Sequence, residues 1–567
     1  MIEYKISFNN PLTHIIDVEV LFPTVEEEYI LINLPAWRPG RYELANYAKN
    51  IIKLQAFTFD ESPIVSYKIS KDVWKIETKR KKAIKLNYSY YAFAMDAGNS
   101  WLDDEQLYIN PINCLVYDKE RINQKCVLSL DVPASYEIAT GLKAIDKTKF
   151  IAKDYFELAD CPIIASPSLK RFEYSINEVE FNIWIQGEIN LNMETLLSDF
   201  RRFSKLQMDM MQGFPEKDYH FLFQILPYKF RHGVEHRNST VITVGPGNQI
   251  NDQLYNDLLG ISSHELFHTW NVLKIRPKEL MPYDFSKENY FKTGYIAEGI
   301  TTYYGDLLLV RSKVFSIEQY FKELTDLLQK HFDNIGNRNM SLADSSFDLW
   351  LDGYVPGVPG RKVSIYVKGA IVAFLVDIEI RRRTKNASSL DDIIRYLWEN
   401  FGKCEKGYEE KDLEKAIKNV AGLEIKGLLN KCVRECSDLK KEIEETLSYL
   451  GLELKSKPYP SLDSLFGIKC NFINGKFVVD QIHPDSPAIF SLSRNDEIVS
   501  VDNLKYEGVY SKNEEEITLS FYRGNRLRTE KIRRKKNKHF FFSYEISLKE
   551  TLFEDESKNL NLWLDLE

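Results

Sequence analysis

A multidomain α+β protein is what the sequence predicts, and three features carry that expectation. The 567 residues are too many for one hydrophobic core. Strand-like patterning prevails near both ends of the chain and helical spacing prevails between them. Turn-rich segments punctuate the changes of character.

Residues 1–172 predict an N-terminal β-sheet domain, with strands at 15–22, 29–34, 83–94, 126–132 and 155–158, all rich in β-branched and aromatic side chains. Within it Pro35-Ala36-Trp37-Arg38-Pro39-Gly40-Arg41-Tyr42 predicts a rigid turn closing over the sheet. Residues 173–315 mix strands at 181–185, 219–225 and 241–244 with helical spacing at 193–212 and 251–270. Residues 316–456 predict a helical domain, periodic at 317–332, 367–383, 390–400, 408–421 and 425–436. The interval 334–363 carries Gly336, Gly353, Gly357 and Gly360 beside Pro356 and Pro359 and predicts a loop. At Lys457-Pro458-Tyr459-Pro460 a linker opens a small β-rich module over 457–537, with strands at 467–472, 476–482, 497–501 and 517–522. The tail, 538–567, ends in apolar-polar alternation from Leu560 to Leu566 and is placed to dock back on the body.

Composition excludes several functions. Lys plus Arg number 75 against 83 Asp plus Glu, a net charge of −8, so no general nucleic-acid or anionic-membrane surface is expected. The basic run at Lys531, Arg533, Arg534, Lys535, Lys536 and Lys538 is local and reads as a solvated strand end. Seven scattered cysteines fit free thiols in a reducing compartment better than a disulfide framework. Cys432 and Cys436 have a metal-compatible spacing but no second pair. The chain opens directly on an alternating strand without the apolar stretch of a secretion signal, and no run of eighteen apolar residues exists. A cytoplasmic protein without a transmembrane segment is the expectation; a chain trimmed of a signal would read the same.

The chemistry concentrates in His264-Glu265-Leu266-Phe267-His268. On a helix, residues i and i+4 lie one above the other, so His264 and His268 can offer two imidazoles to one ion. Glu265 sits one residue around, where its carboxylate reaches a water on that ion rather than the ion itself. Leu258, Leu259, Ile261, Leu266 and Phe267 surround the pair with apolar residues, which argues for a packed helix on which two unpaired imidazoles would be costly. A solvated polar helix face is the competing reading.

With these residues the chain resembles the glycyl aminopeptidase family of gluzincin zinc peptidases, which carry a C-terminal PDZ domain. The resemblance rests on the extended segment from His264 through Thr269-Trp270-Asn271-Val272-Leu273-Lys274-Ile275-Arg276-Pro277, on Pro35 to Tyr42, and on Glu298-Gly299-Ile300-Thr301-Thr302-Tyr303-Tyr304. Ser346-Phe347-Asp348-Leu349-Trp350 and Ile365-Tyr366-Val367-Lys368-Gly369 extend it in the same order.

That resemblance implies a thermolysin-like catalytic domain over 173–315, completed by the helical domain, with one Zn2+ per chain held by His264, His268 and Glu298. It implies Glu265 as the base and Tyr366 as the oxyanion partner, although an aromatic packed at a helix start would also account for Tyr366. His232-Gly233-Val234-Glu235-His236 resembles the Gly-x-x-Glu edge strand of gluzincin aminopeptidases, making Gly233 and Glu235 the substrate-binding candidates. A solvated loop is the alternative for Glu235, and His232 stands where the family has Gly. Asn271, Thr302 and Asp306 lie near ligands in sequence and are candidates to orient them, with packing roles equally open.

The module at 457–537 resembles a PDZ domain through Leu465-Phe466-Gly467-Ile468, Ile482 to Ala488 and Arg494 to Val501. The first segment, Leu465, Phe466, Gly467 and Ile468, is expected to form the loop that takes a peptide's C-terminal carboxylate, while a domain that only packs remains open. The implied activity is release of small N-terminal residues, Gly or Ala, from peptide or protein substrates. An endopeptidase with the same zinc chemistry, or a non-catalytic PDZ scaffold, are the alternatives.

Overall fold

A computed structural model of the chain describes residues 1–23, 25–80, 83–249, 252–458, 461–510 and 512–566. The N-terminal unit is built on an eight-stranded sheet in which Ile2–Ser7 lies between Ile15–Phe22 and Cys126–Asp131. Buried positions alternate along Ile2–Ser7 and Ile15–Phe22, so Tyr4, Ile6, Val18, Val20 and Phe22 fill one core. The stretches expected at 15–22, 29–34, 83–94 and 126–132 form as Ile15–Phe22, Ile30–Asn33, Ile84–Tyr91 and Cys126–Asp131. The stretch at 155–158 needs correction: Tyr155–Ala159 is a helix. Asp154 accepts the Glu157 amide while the Glu157 carboxylate accepts the Lys153 amide, a local cap that outweighs the strand propensity of Tyr and Phe.

A second, five-stranded sheet has the order Lys170–Ile176, Val179–Gln186, Asp218–Ile225, Ser239–Gly245, Phe230–His236. Val179–Gln186, Asp218–Ile225 and Ser239–Gly245 run parallel, and parallel neighbours need a crossover. The helix Met193–Met211 supplies the first, started by Asn192 accepting the amides of Glu194 and Thr195. Phe230–His236 forms the exposed edge, antiparallel to Ser239–Gly245. The helix Asp252–Phe267 packs against this sheet, with Leu258, Leu259, Leu266 and Phe267 in the main core; Asn251, expected to begin it, lies outside the described residues.

Further along, Ile300–Arg311, Ile317–Asp333, Val367–Thr384, Leu390–Leu397 and Glu410–Ala421 are helices of the same core. Val367–Thr384 is buried on nearly all sides, as a central helix should be. The interval 334–363 is only partly loop: Leu342–Phe347 and Leu349–Asp352 are short helices, the former begun by Ser341 accepting the Asp344 amide. Among the described residues no helix is long and apolar enough to cross a membrane, and all seven cysteines are unpaired.

The last module folds around Leu465, Phe466, Ile498, Leu519 and Phe521, with Ile468–Ile473, Lys476–Ile482, Glu497–Val501 and Glu516–Arg523 as successive antiparallel strands. Tyr459 and Pro460 of the expected linker lie outside the described residues. Leu452–Lys457 and Ser543–Leu548 pair as a two-stranded stalk leading into and out of the module. Beyond it the expected alternation at 560–566 is helical instead: Glu554–Leu564 returns to the body and buries Leu560, Trp563 and Leu564 in the main core.

The four residues expected to form the carboxylate-binding loop lie at a junction of helix and strand. Leu465 and Phe466 end the short helix Leu462–Phe466, Gly467 closes it at φ +66, and Ile468 pairs with Ile482. The amides of Leu465 and Gly467 already donate to Ser461 and Asp463, and Phe540 crosses the same spot with its amide on the Ser464 carbonyl.

Candidate metal centre

His264 and His268 lie one helical turn apart, and the chain after Phe267 tightens into turns that keep His268 stacked on His264. Their Nε2 atoms face each other at 3.0 Å, with ring planes at 86°. Glu298 arrives from a separate element, the π-helical turn Tyr295–Gly299 that leads into Ile300–Arg311. Its Oε2 lies 3.8 Å from His264 Nε2 and 3.3 Å from His268 Nε2, and it is 1% exposed with no hydrogen-bond partner for that oxygen.

The two imidazoles titrate in opposite directions. Burial, with His268 next to it, holds His264 well below its ordinary value. Burial also pulls on His268, but Glu298, Glu235 and Glu265 outweigh it and raise it to about 10. The positive charge therefore sits on His268, facing a neutral His264 among carboxylates, a place a bound cation would take over.

Glu265 stands beside this trio, 5% exposed, with Oε2 unpartnered. Burial, reinforced by Glu235 and Glu298 and opposed by His268, pushes its carboxyl up to about 8. Glu235 and Glu265 come within 4.8 Å of His268 as a second cluster. Glu235 sits on the edge strand, opposite Thr240, 5% exposed and with Oε1 unpartnered. Gly233, two residues back on the same face, is what lets that strand come close: a Cβ there would lie 2.4 Å from Glu265 Oε1. His232 turns away, its Nδ1 accepting the Ala97 amide at 3.3 Å.

Tyr366 caps the start of Val367–Thr384, its ring 6.5 Å from that of His264. Burial, with Glu298 nearby, raises its hydroxyl well above the ordinary value, so it stays protonated. Asn271 serves the site at both ends. Its carbonyl takes His268 Nδ1 at 2.7 Å, and its amide nitrogen donates to Ile296 O, Ala297 O and Thr301 Oγ1. Thr302 and Asp306 make no hydrogen bond to His264, His268 or Glu298; Thr301 does the work expected of Thr302, tying the π-helical turn to Asn271.

Four further residues shape the site. Gly40, at φ +76 in the N-terminal turn, walls Glu235, since a Cβ there would meet Glu235 Oε2 at 2.5 Å. Gly299 and Gly369 touch backbone to backbone, a Cβ on Gly299 falling 2.5 Å from Gly369 Cα. Tyr354 lies on the 353–362 segment, its hydroxyl meeting the turn that carries Gly40. The three glycines lie in segments that carried the resemblance, but nothing in the sequence marked the close approaches they allow, and Tyr354 left no signal.

Two family models match parts of the chain. Residues 3–167 match the model of the Peptidase M61 N-terminal domain, and residues 257–372 match that of the M61 glycyl aminopeptidase. No curated protein matches the chain. Among solved structures, an aminopeptidase N family protein from Idiomarina loihiensis covers 100% of this chain and 100% of its own at 24% identity and TM-score 0.91, so the two share a fold. An M1 zinc metallopeptidase from Deinococcus radiodurans is 12% identical, covering 76% of this chain and 93% of its own at TM-score 0.46.

Proposed function

We propose that this chain is a zinc-dependent aminopeptidase releasing small N-terminal residues, glycine or alanine, from peptides. One observation carries the reading: three buried carboxylate oxygens without partners, on Glu235, Glu265 and Glu298, converge on two imidazoles whose lone-pair nitrogens face each other. Each oxygen needs a different positive partner: a metal ion, a proton from water, and a substrate ammonium.

The donor set fits zinc. Ligand atoms bound at about 2.0–2.1 Å in tetrahedral geometry lie roughly 3.3 Å apart. The separations of 3.0, 3.3 and 3.8 Å among His264, His268 and Glu298 bracket that value. With zinc in place, the ion supplies Lewis acidity that acidifies a water and polarises the scissile carbonyl.

The protein's own groups do the rest. Glu265, buried beside the two imidazoles with an unpartnered Oε2, is placed to take the water's proton and to pass it to the leaving amine. Tyr366 keeps its proton and donates a hydrogen bond to the developing oxyanion. Glu235 receives the free α-ammonium, with the Gly40 backbone packed against its carboxylate, and the preference for a small residue is taken from the glycyl aminopeptidase description of the matched family. An anchor for an ammonium favours an exopeptidase over an endopeptidase, and a buried unpartnered carboxylate beside the two imidazoles favours an enzyme over a scaffold.

For the C-terminal module we assign a PDZ-type fold that packs against the helical domain, supported by the Lys469 to Asp333 ion pair at 2.5 Å and the Gln481 hydrogen bond to the Asp333 carbonyl. The seven unpaired thiols favour a reducing compartment.

Hydrolysis of glycyl and alanyl amides tests the assignment. Glu265→Gln should bind zinc as the wild type does and lose about 10²–10⁴-fold in kcat. N-acetylated peptides should resist cleavage, and Glu235→Ala should raise KM for free-amine substrates. Full activity in Glu265→Gln removes the proposed base; equal cleavage of acetylated peptides makes the protein an endopeptidase.

A further inference from the structure

We infer that Arg231 is a specificity residue that takes a carboxylate on the leaving part of the peptide, so that short substrates carrying a carboxylate near their third residue are favoured. The inference rests on the proposed role of Glu235 as ammonium anchor.

Alternation along Phe230–His236 puts Arg231, Gly233 and Glu235 on one face and His232, Val234 and His236 on the other. The second face is turned to the N-terminal unit, where Val234 joins Tyr108 and Ala139 in a core and His232 meets the Ala97 amide. The first is turned to the helix Asp252–Phe267, and three contacts fix how strand and helix lie against each other. Arg231 Nη1 is 4.0 Å from Asp257 Oδ1. A Cβ on Gly233 would meet Ile261 Cδ1 at 2.9 Å and Glu265 Oε1 at 2.4 Å. Glu235 clusters with Glu265 and His268. Asp257, Ile261 and Glu265 follow one another at four-residue steps along one side of the helix. Strand and helix therefore run side by side, with Arg231 at one end of the cleft, Glu235 at the other, and the proposed base between them.

That order gives the cleft a direction. With the ammonium on Glu235 and the cleaved bond beside Glu265, the rest of the peptide continues past Gly233 towards Arg231. Phe230–His236 is the last strand of its sheet, so its outer backbone edge is open to an extended chain. The four-residue step from Glu235 back to Arg231 spans about 13 Å. An extended tripeptide covers about 10 Å from ammonium to terminal carboxylate, and the contacts at its two ends take up the remainder.

Arg231 is lightly engaged. Its side chain is 53% exposed, it makes no hydrogen bond among the described residues, and its pair with Asp257 is at the limit of contact. Arg237, six residues on, is held by Glu216 at 3.0 Å and Glu157 at 2.9 Å. A planar guanidinium with five donors and one distant partner is suited to a carboxylate that accepts two bonds at once.

The test uses the zinc-loaded, full-length enzyme and three peptides: Gly-Gly-Gly, its C-terminal amide, and Gly-Gly-Asp amide. In the wild type kcat/KM for Gly-Gly-Gly should exceed that for its amide by about tenfold, carried mainly by KM, as a charge-assisted pair implies. In Arg231→Gln the ratio should fall to within about twofold of one. Arg231→Lys keeps the charge without the fork and should retain about threefold, and Asp257→Asn, which removes the competing carboxylate, should raise the ratio. A preference for Gly-Gly-Asp amide over Gly-Gly-Gly amide that Arg231→Gln abolishes assigns the contact to an acidic side chain; a preference confined to Gly-Gly-Gly assigns it to the chain terminus. Equal kcat/KM for all three peptides in the wild type, or a preference that survives in Arg231→Gln, overturns the inference. Unchanged KM in Glu235→Ala for all three overturns the ammonium anchor instead, so the two failures are told apart.

Discussion

Asn271 links two of the three proposed ligands through opposite ends of one residue. Its carbonyl accepts from His268 Nδ1 at 2.7 Å, which places the proton there and leaves the Nε2 lone pair for a metal. Its side-chain nitrogen donates at 2.8 Å to Ile296 O and at 3.2 Å to Ala297 O, in the turn that presents Glu298. Asn271→Ala keeps the first contact and removes the second, so the imidazole stays oriented while the carboxylate loses its support. The expected result is zinc affinity weakened about 10–100-fold, read by competition with a chelator, and near-normal kcat once zinc is saturating. Unchanged affinity would show that the π-helical turn holds itself. The motif found His264, His268 and Glu265 because their spacing is the chemistry. Glu298 and Glu235 needed a family likeness, since nothing local says that a carboxylate thirty residues away on another element will meet the pair.

Two helices must come unusually close for Glu298 and Tyr366 to face one site. Glu298 precedes Ile300–Arg311 and Tyr366 precedes Val367–Thr384, and the crossing between them is made by Gly299 and Gly369 with no side chain between. Gly299→Ala would place a methyl carbon 2.5 Å from backbone of the facing helix, which cannot yield as a flexible side chain would. Overpacking of this kind costs about 1–3 kcal/mol, and here it also parts the ligand from the oxyanion donor. A lowered melting temperature together with reduced zinc content is expected; wild-type values for both would mean the crossing has slack. Periodic elements were legible in the same way as the motif: Ile15–Phe22, Lys476–Ile482 and Glu497–Val501 form where hydrophobic alternation puts them. Short elements were not. Tyr155–Ala159, Leu342–Phe347 and Leu462–Phe466 each depend on a single side chain capping the first turn, at Asp154, Ser341 and Ser461, and five or six residues carry too little periodicity to reveal a helix.

At the scale of the whole molecule, the last helix locks together the two helices that define the site. Trp563 is fully buried, and its indole N–H donates at 2.8 Å to the Tyr303 hydroxyl, which donates at 2.7 Å to Asp377. Tyr303 belongs to Ile300–Arg311, the continuation of the Glu298 turn, and Asp377 to Val367–Thr384, the helix that Tyr366 begins. Arg311 then donates to the Trp563 carbonyl at 2.9 Å and pairs with Asp391 at 3.0 Å, so two buried charges are satisfied partly by the incoming segment. Losing that segment would leave Arg311 short of an acceptor as well as opening a hole the size of an indole. Trp563→Ala should therefore cost about 3–5 kcal/mol of stability. Trp563→Phe, which keeps one aromatic ring and loses the pyrrole part with its N–H, should cost less, about 1–3 kcal/mol, from the smaller cavity and the lost bond to a Tyr303 hydroxyl still held by Asp377. Because neither change touches the metal centre directly, kcat/KM per folded molecule should stay within a few fold below the transition. Urea denaturation followed by near-UV circular dichroism reads the stability, and activity at low denaturant reads the site. If Trp563→Ala unfolds at the wild-type midpoint, the final helix is an appendage and the two site helices hold each other without it.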